Sequence, residues 1–93
     1  MSYKLLYHPE VLKYDLAGIP KNMKEAIRRA IEERLLSDPV AFGEPLRQSL
    51  KGHRKLRIGD YRVIYRISKG QIFILKIGHR KEVYLKVLSR LAS

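Results

Sequence analysis

Lys55-Leu56-Arg57-Ile58-Gly59-Asp60-Tyr61-Arg62-Val63-Ile64-Tyr65-Arg66-Ile67 is the stretch that decides the fold. Polar and apolar residues alternate on either side of Gly59-Asp60, the period of a strand with one face toward a core. Gly-Asp between two such runs marks a tight turn or a bulge, and the turn makes the stretch a β-hairpin. Ser68-Lys69-Gly70 turns the chain again, and residues 71–77 form a more continuously apolar run, as in a central strand buried on both faces. Three antiparallel strands are therefore expected in the C-terminal half.

Toward the N-terminus, residues 3–7 read as a short first strand. His8-Pro9-Glu10 starts a helix that Gly18 ends, with Pro9 in the first turn, where its missing N–H does no harm. A second helix runs from Pro20 to about Ser37, where Asp38-Pro39 stops it. Met23, Ile27, Ala30, Ile31, Arg34 and Leu35 recur along one side of it at spacings of three and four. Lys24, Arg28 and Glu32 take the solvated side as pairs of mixed sign. Residues 38–52 read as a loop, pinned to the core by Leu46 and Leu50. A last short helix spans residues 82–91, with Val83, Val87, Leu88 and Leu91 on one side. The expected fold is α+β: a small antiparallel sheet of about four strands, an N-terminal helical hairpin on one face and a short C-terminal helix. Residues 1–93 make a single domain, since a second core does not fit in this length.

Charge narrows the function. Residues 1–46 carry seven Lys/Arg and seven acids, whereas residues 47–93 carry thirteen Lys/Arg against only Asp60 and Glu82, so the whole excess of +11 lies in the second half. One-sided positive charge points to a polyanionic partner, nucleic acid or an acidic protein. The chain has no cysteine, which excludes disulfides, thiolate metal sites and a Cys nucleophile. It shows neither a signal-peptide core nor an apolar run near the ~20 residues of a membrane span, so a cytoplasmic protein without a membrane partner is expected.

Strand parity places the cations. His53, Lys55 and Arg57 point to one side of their strand, and Tyr61, Val63, Tyr65 and Ile67 form the apolar face of the next. Arg62, Ile64 and Arg66 point away from that face. The hairpin is thus expected to gather Lys55, Arg57, Arg62 and Arg66 on the open face of the sheet, with Arg80 at its rim. Like charges facing one another across strands are destabilising, and binding of a polyanion is the use that best accounts for them.

Two acids are too few for a two-metal nuclease, so no metal and no cofactor are expected. RNA carries its own nucleophile, the 2′-OH. Its cleavage needs a base, an acid for the leaving 5′-oxygen, and cations around the transition state. Lys and Arg supply the cations, and Tyr84 or His79 is available as the base.

Leu50-Lys51-Gly52, then Arg57-Ile58-Gly59-Asp60-Tyr61-Arg62-Val63-Ile64-Tyr65, then Gly78-His79-Arg80-Lys81-Glu82-Val83-Tyr84, in this order and spacing, resemble the RelE toxins of the RelE/ParE superfamily. The likeness takes in both N-terminal helices and so covers nearly the whole chain. It implies a toxin of a type II toxin–antitoxin system, a ribosome-dependent endoribonuclease that cuts mRNA by 2′-OH attack and leaves a 2′,3′-cyclic phosphate. It also implies a cognate antitoxin that wraps the toxin in a hetero-oligomer. The family's strand arginine falls on Arg62, its second arginine on Arg80 and its C-terminal tyrosine on Tyr84. Its strand lysines fall on Lys55 and Arg57, a Lys-x-Arg in place of Lys-x-Lys. Arg62 and Arg80 are then expected to stabilise phosphate, Tyr84 to act as base, and Lys55 or Arg57 to stabilise or donate a proton. Lys51, Arg54, Arg66, His79 and Lys81 are expected to bind RNA. The alternatives are a ParE-like toxin that inhibits DNA gyrase without catalysis, and a degenerate toxin that only binds its antitoxin.

Overall fold

The period-two stretch forms the expected meander: β3 (Arg54–Ile58), β4 (Tyr61–Ser68) and β5 (Gln71–His79), antiparallel in sequence order. The computed structural model describes residues 2–85 and 87–91. Both edges of the sheet differ from expectation. β1 (Lys4–Tyr7) runs parallel to β5, from Lys4 opposite Gln71 to Tyr7 opposite Ile74, so the sheet is mixed. β2 (Glu44–Pro45) pairs with β3 from inside the stretch read as a loop, which gives five strands in the order β1-β5-β4-β3-β2. Two residues are too few for alternation to be visible, and a proline is tolerated in a strand only at such an edge.

The connection from β1 is helical but irregular. A π-helical turn (Val11–Asp15) passes into a 3₁₀ turn (Leu16–Gly18), and α1 (Lys21–Ala30) widens into a second π-helical turn (Ile31–Leu35). Ile27, Ala30, Ile31 and Leu35 are buried as the spacing predicts, whereas Arg34 is exposed. Arg28 pairs with both Glu25 and Glu32 on the solvated side. These helices cover one face of the sheet. Val11, Ile27, Ile31 and Leu35 pack there on Leu56, Val63, Tyr65, Ile72, Ile74 and Ile77.

The other face is not open. The register changes between Ile64, opposite Lys76, and Tyr65, opposite Ile74, which leaves Leu75 as an extra residue in β5. Such a bulge lets adjacent residues both find apolar surroundings. Leu75 joins Ile64, Val83 and Val87 in a second cluster, flanked by Leu46, Leu50 and Phe73. The expected helix over residues 82–91 is instead a run of turns followed by α3 (Val87–Leu91). Because the turns shift the phase, Val83 and Val87 are buried while Leu88 and Leu91 face outward.

Two polar devices hold these layers. β1 ends opposite Ile74, so among the described residues the rest of the β5 edge has no strand beside it, and side chains bind it instead. Asp15 accepts from Ile77 N at 2.9 Å, and Arg90 Nη1 donates to Leu75 O at 3.2 Å. Arg90 also binds Asp15 through both nitrogens of its fork, at 2.7 and 3.1 Å, and Glu10 through Nε at 3.3 Å. On the helix side, the Tyr65 hydroxyl donates to Pro39 O at 2.6 Å, and Arg54 Nη2 donates to Val40 O and Gly43 O. These three bonds tie down α2 (Pro39–Phe42) and the residue after it, and Asp38 caps the first turn of α2.

Gly43 lies directly against this anchor, since a Cβ there would sit 1.7 Å from the Tyr65 hydroxyl oxygen. Gly43→Ala is therefore expected to lower the melting temperature by ~10 °C or more, because the ring must leave its buried site. Tyr65→Phe, which only strands the Pro39 carbonyl, is expected to cost on the order of 1–3 kcal/mol in the same thermal unfolding experiment. Arg90→Ala leaves the nearly buried Asp15 without its charge partner. Urea unfolding is expected to register a loss on the order of 3 kcal/mol.

Candidate nucleic-acid interface

Arg57 and Arg62 stand directly opposite each other across β3 and β4, a like-charge pair that is costly unless each cation finds its own acceptors. Arg62 finds them in the hairpin loop beside it. Its Nη1 donates to Gly59 O and to Tyr61 O, both at 2.9 Å. Gly59 permits this loop because it is the first of two loop residues and has φ +57°, as in a type II′ hairpin.

The same loop receives Arg80 as the chain leaves β5. Arg80 N donates to Asp60 O at 2.7 Å, and Arg80 Nε lies 3.7 Å from Asp60 Oδ1. Gly78 faces Arg62 in the β4–β5 ladder, and a Cβ on it would stand 3.4 Å from Val83 Cα. That lack of a side chain lets the turn carrying Val83 cross close over the strand. Bonds from the N–H groups of Glu82 and Val83 to His79 O fix this turn. Tyr84, 40% exposed, follows the buried Val83 on it, and Lys81 is exposed nearby in sequence. Arg57, Arg62, Arg80, Lys81 and Tyr84 thus share one end of the sheet. The Arg62 guanidinium is held against backbone carbonyls and that of Arg80 lies beside the Asp60 carboxylate, with the Tyr84 phenol carried on the crossing turn.

The remaining cations are not gathered with them. Lys55, opposite Ile64, lies on the same face, and its Nζ is 3.8 Å from Glu44 Oε2. Arg66 sits at the far end, 5.3 Å above the Phe73 ring, and Lys51 is exposed in the turn before β3. Between the two ends Ile64 is fully buried under the second cluster. The single open row of cations expected from parity is therefore two patches separated by an apolar plug, because Ile64 supplies a floor on which Val83 and Val87 can pack.

Arg54 and His79 belong to the helix-bearing side. Arg54 stands opposite Tyr65 and spends its guanidinium on Val40 and Gly43. His79 stands opposite Tyr61, their rings 5.7 Å apart and nearly perpendicular, and its Nδ1 accepts from Lys81 N at 3.2 Å.

The part that sequence reasoning missed is the hairpin loop itself. Gly59-Asp60 signals a turn, but nothing in the alternation says that its carbonyls will hold two arginines. An apolar groove of about 1010 Å³ lies elsewhere, on the helix side, lined by Tyr7, Leu12, Leu16, Ile27 and Ile31. Among the described residues, no three side chains of the metal-binding types His, Cys, Asp and Glu come together, and no helix is long and apolar enough to cross a membrane.

Residues 5–84 match the family model described as ParE toxin of type II toxin-antitoxin system, parDE. Toxin RelE of Mycobacterium tuberculosis is 36% identical over 72 residues, which cover 75% of this chain and 74% of that protein. A chain in the crystal structure of the RelBE2 toxin–antitoxin complex of the same organism superposes with a TM-score of 0.79 at 29% identity, covering 86% of this chain and 100% of that one. A doubly substituted Escherichia coli toxin RelE in the free state has the same fold, with a TM-score of 0.74 at 21% identity over 99% of this chain and 96% of that one.

His53 precedes β3 on the parity of Lys55 and Arg57. Burial, and then the charge of Arg66, hold its imidazole below the ordinary histidine range. A histidine whose folded pKa is depressed binds its proton more readily when unfolded. Its contribution is therefore complete above the unfolded value of ~6.5 and is lost as pH falls below it. Urea unfolding at pH 7.5 and 5.5 is expected to show lower stability at the acid value, with the difference reduced in His53→Gln.

Proposed function

The chain belongs to the RelE/ParE family of type II toxin–antitoxin toxins, and from that premise we propose that it is a ribosome-dependent mRNA endoribonuclease that works without a metal ion. The observation that carries the reading is the convergence of Arg62 and Arg80 on one hairpin loop, with Tyr84 on the turn that crosses beside them. These residue types supply what cleavage through the 2′-OH requires.

In this reading Tyr84 takes the proton of the 2′-hydroxyl, whose oxygen attacks the adjacent phosphorus. The bond from phosphorus to the 5′-oxygen breaks, and that oxygen receives a proton from the Lys55 ammonium while Arg57, which keeps its proton, stabilises the charge developing on it. The products are a 2′,3′-cyclic phosphate and a free 5′-hydroxyl. Arg62 and Arg80 oppose the charge that builds on the non-bridging oxygens, and they do so on a preformed support that need not reorganise as the reaction proceeds. Lys81, Arg66 and Lys51 extend the positive surface toward the RNA of the ribosome. His79 and Arg54, on the other side of the sheet, support the site's frame. The partners are mRNA, ribosomal RNA and a cognate antitoxin bound in a hetero-oligomer, in the cytoplasm. The antitoxin is supported by the related RelBE2 chain, which was solved as a toxin–antitoxin complex.

A second reading is favoured by the description of the matching family model, which names the ParE toxin: inhibition of DNA gyrase without catalysis. Toe-printing on translating ribosomes separates the two. The protein is expected to produce mRNA breaks that end in a 2′,3′-cyclic phosphate. Arg62→Ala and Tyr84→Phe are each expected to slow cutting by roughly 100-fold or more, the scale of a lost acid–base or charge-stabilising group. Intact mRNA together with blocked gyrase supercoiling would replace the nuclease reading with the second one. Ribosome binding is also expected to weaken steeply as salt rises, since each Lys or Arg contact with phosphate releases counterions.

A further inference from the structure

The cationic end of the sheet contains a carboxylate that the reaction above does not use. Asp60 and Glu82 are the two acids of the C-terminal half, and Asp60 sits in the loop that supports both arginines. Turn chemistry does not explain the charge. The second position of a two-residue hairpin loop accepts Asn or Ser as readily as Asp. Electrostatics alone argues against it, because a negative charge beside a phosphate site weakens the attraction of RNA. The carboxylate needs a reason of its own.

Its geometry supplies one. Arg80 is joined to this loop twice, through its N–H to Asp60 O at 2.7 Å and through Nε to Asp60 Oδ1 at 3.7 Å. Among the described residues, no other ion pair or hydrogen bond engages the Arg80 guanidinium. A guanidinium has two usable edges, and a partner on the Nε side leaves the terminal nitrogens free. In sequence the carboxylate lies between Arg57 and Arg62, in the loop that closes their hairpin, where a negative charge offsets the crowding of cations.

We propose that Asp60 is a positioning residue: by holding the Nε edge of Arg80, it presents the terminal nitrogens of that arginine to the RNA phosphate already gripped by Arg62. This inference rests on the nuclease reading for its substrate but not for its geometry. With the arginine oriented before binding, less of the binding energy is spent on ordering it, and misplacement of such a group is costly to the rate.

The test turns on sign. Asp60→Asn keeps the loop and adds one positive charge to the site. Positioning predicts that kcat for RNA cleavage falls about tenfold while KM is unchanged or lower, with Asp60→Glu recovering part of the loss. In an Arg80→Ala background, Asp60→Asn should cause no further fall. A rise in kcat/KM would overturn the proposal, since the carboxylate would then be only a competitor of phosphate. So would an equal fall in the Arg80→Ala background, which would make it part of the loop's structure alone. A second readout does not depend on activity. The Arg80 Nε–Hε resonance of the free protein is expected to shift and lose order in Asp60→Asn. An unmoved resonance overturns the proposal even if the protein cuts RNA, whereas a shifted one in a protein that cuts no RNA upholds the positioning and removes the nuclease reading.

Discussion

Strand β4 has to satisfy two different layers with alternate residues, and most of the molecule follows from that demand. Val63 and Tyr65 face the helices, and Ile64 between them faces the C-terminal segment, all without exposure to solvent. A half-buried strand needs only one apolar row, but this one has a row on each side. Ile64 is what turns the far face from a solvated surface into a second, smaller core. Arg62 and Arg66, its neighbours in parity, are pushed to the two ends of that core, so the division of the basic surface is a consequence of packing.

Much of this was legible in the chain. Alternation from Lys55 to Ile67 identified the hairpin and assigned Tyr61, Val63, Tyr65 and Ile67 to the helix side correctly. The three- and four-residue spacing of Ile27, Ala30, Ile31 and Leu35 located the long helix and its buried stripe. The illegible parts have physical causes. β2 is too short to carry a period, and the parallel pairing of β1 with β5 joins residues more than sixty positions apart, which no local pattern encodes. The bulge at Leu75 breaks the alternation where the second core forms. Of the candidate site, the arginines and the tyrosine could be named from the sequence. Their support could not, because Gly59, Asp60 and Tyr61 contribute carbonyl oxygens that every residue possesses.

The site shows how a small protein can concentrate like charges without an acidic counterlayer. Exposed ion pairs contribute little in water, and among the described residues only one carboxylate lies against this group of arginines. The main compensation is backbone: three carbonyl groups of one tight loop face the two arginines. Such acceptors carry no net charge, so they restrain the Arg62 guanidinium and the Arg80 backbone without cancelling the positive field at this end of the sheet.

The ion pair of Asp15 and Arg90 has a further consequence for the sheet's border. An uncovered strand edge is a template on which another chain can add itself and start aggregation. Beyond Ile74, where β1 stops, β5 would offer such an edge in an otherwise apolar strand. Asp15 takes its Ile77 N–H and Arg90 its Leu75 carbonyl, so the groups an invading strand would need are already bound. At the opposite border, Pro45 in the two-residue β2 lacks an N–H to offer. This toxin therefore blunts one side of its sheet with a proline and the exposed stretch of the other with a charge pair.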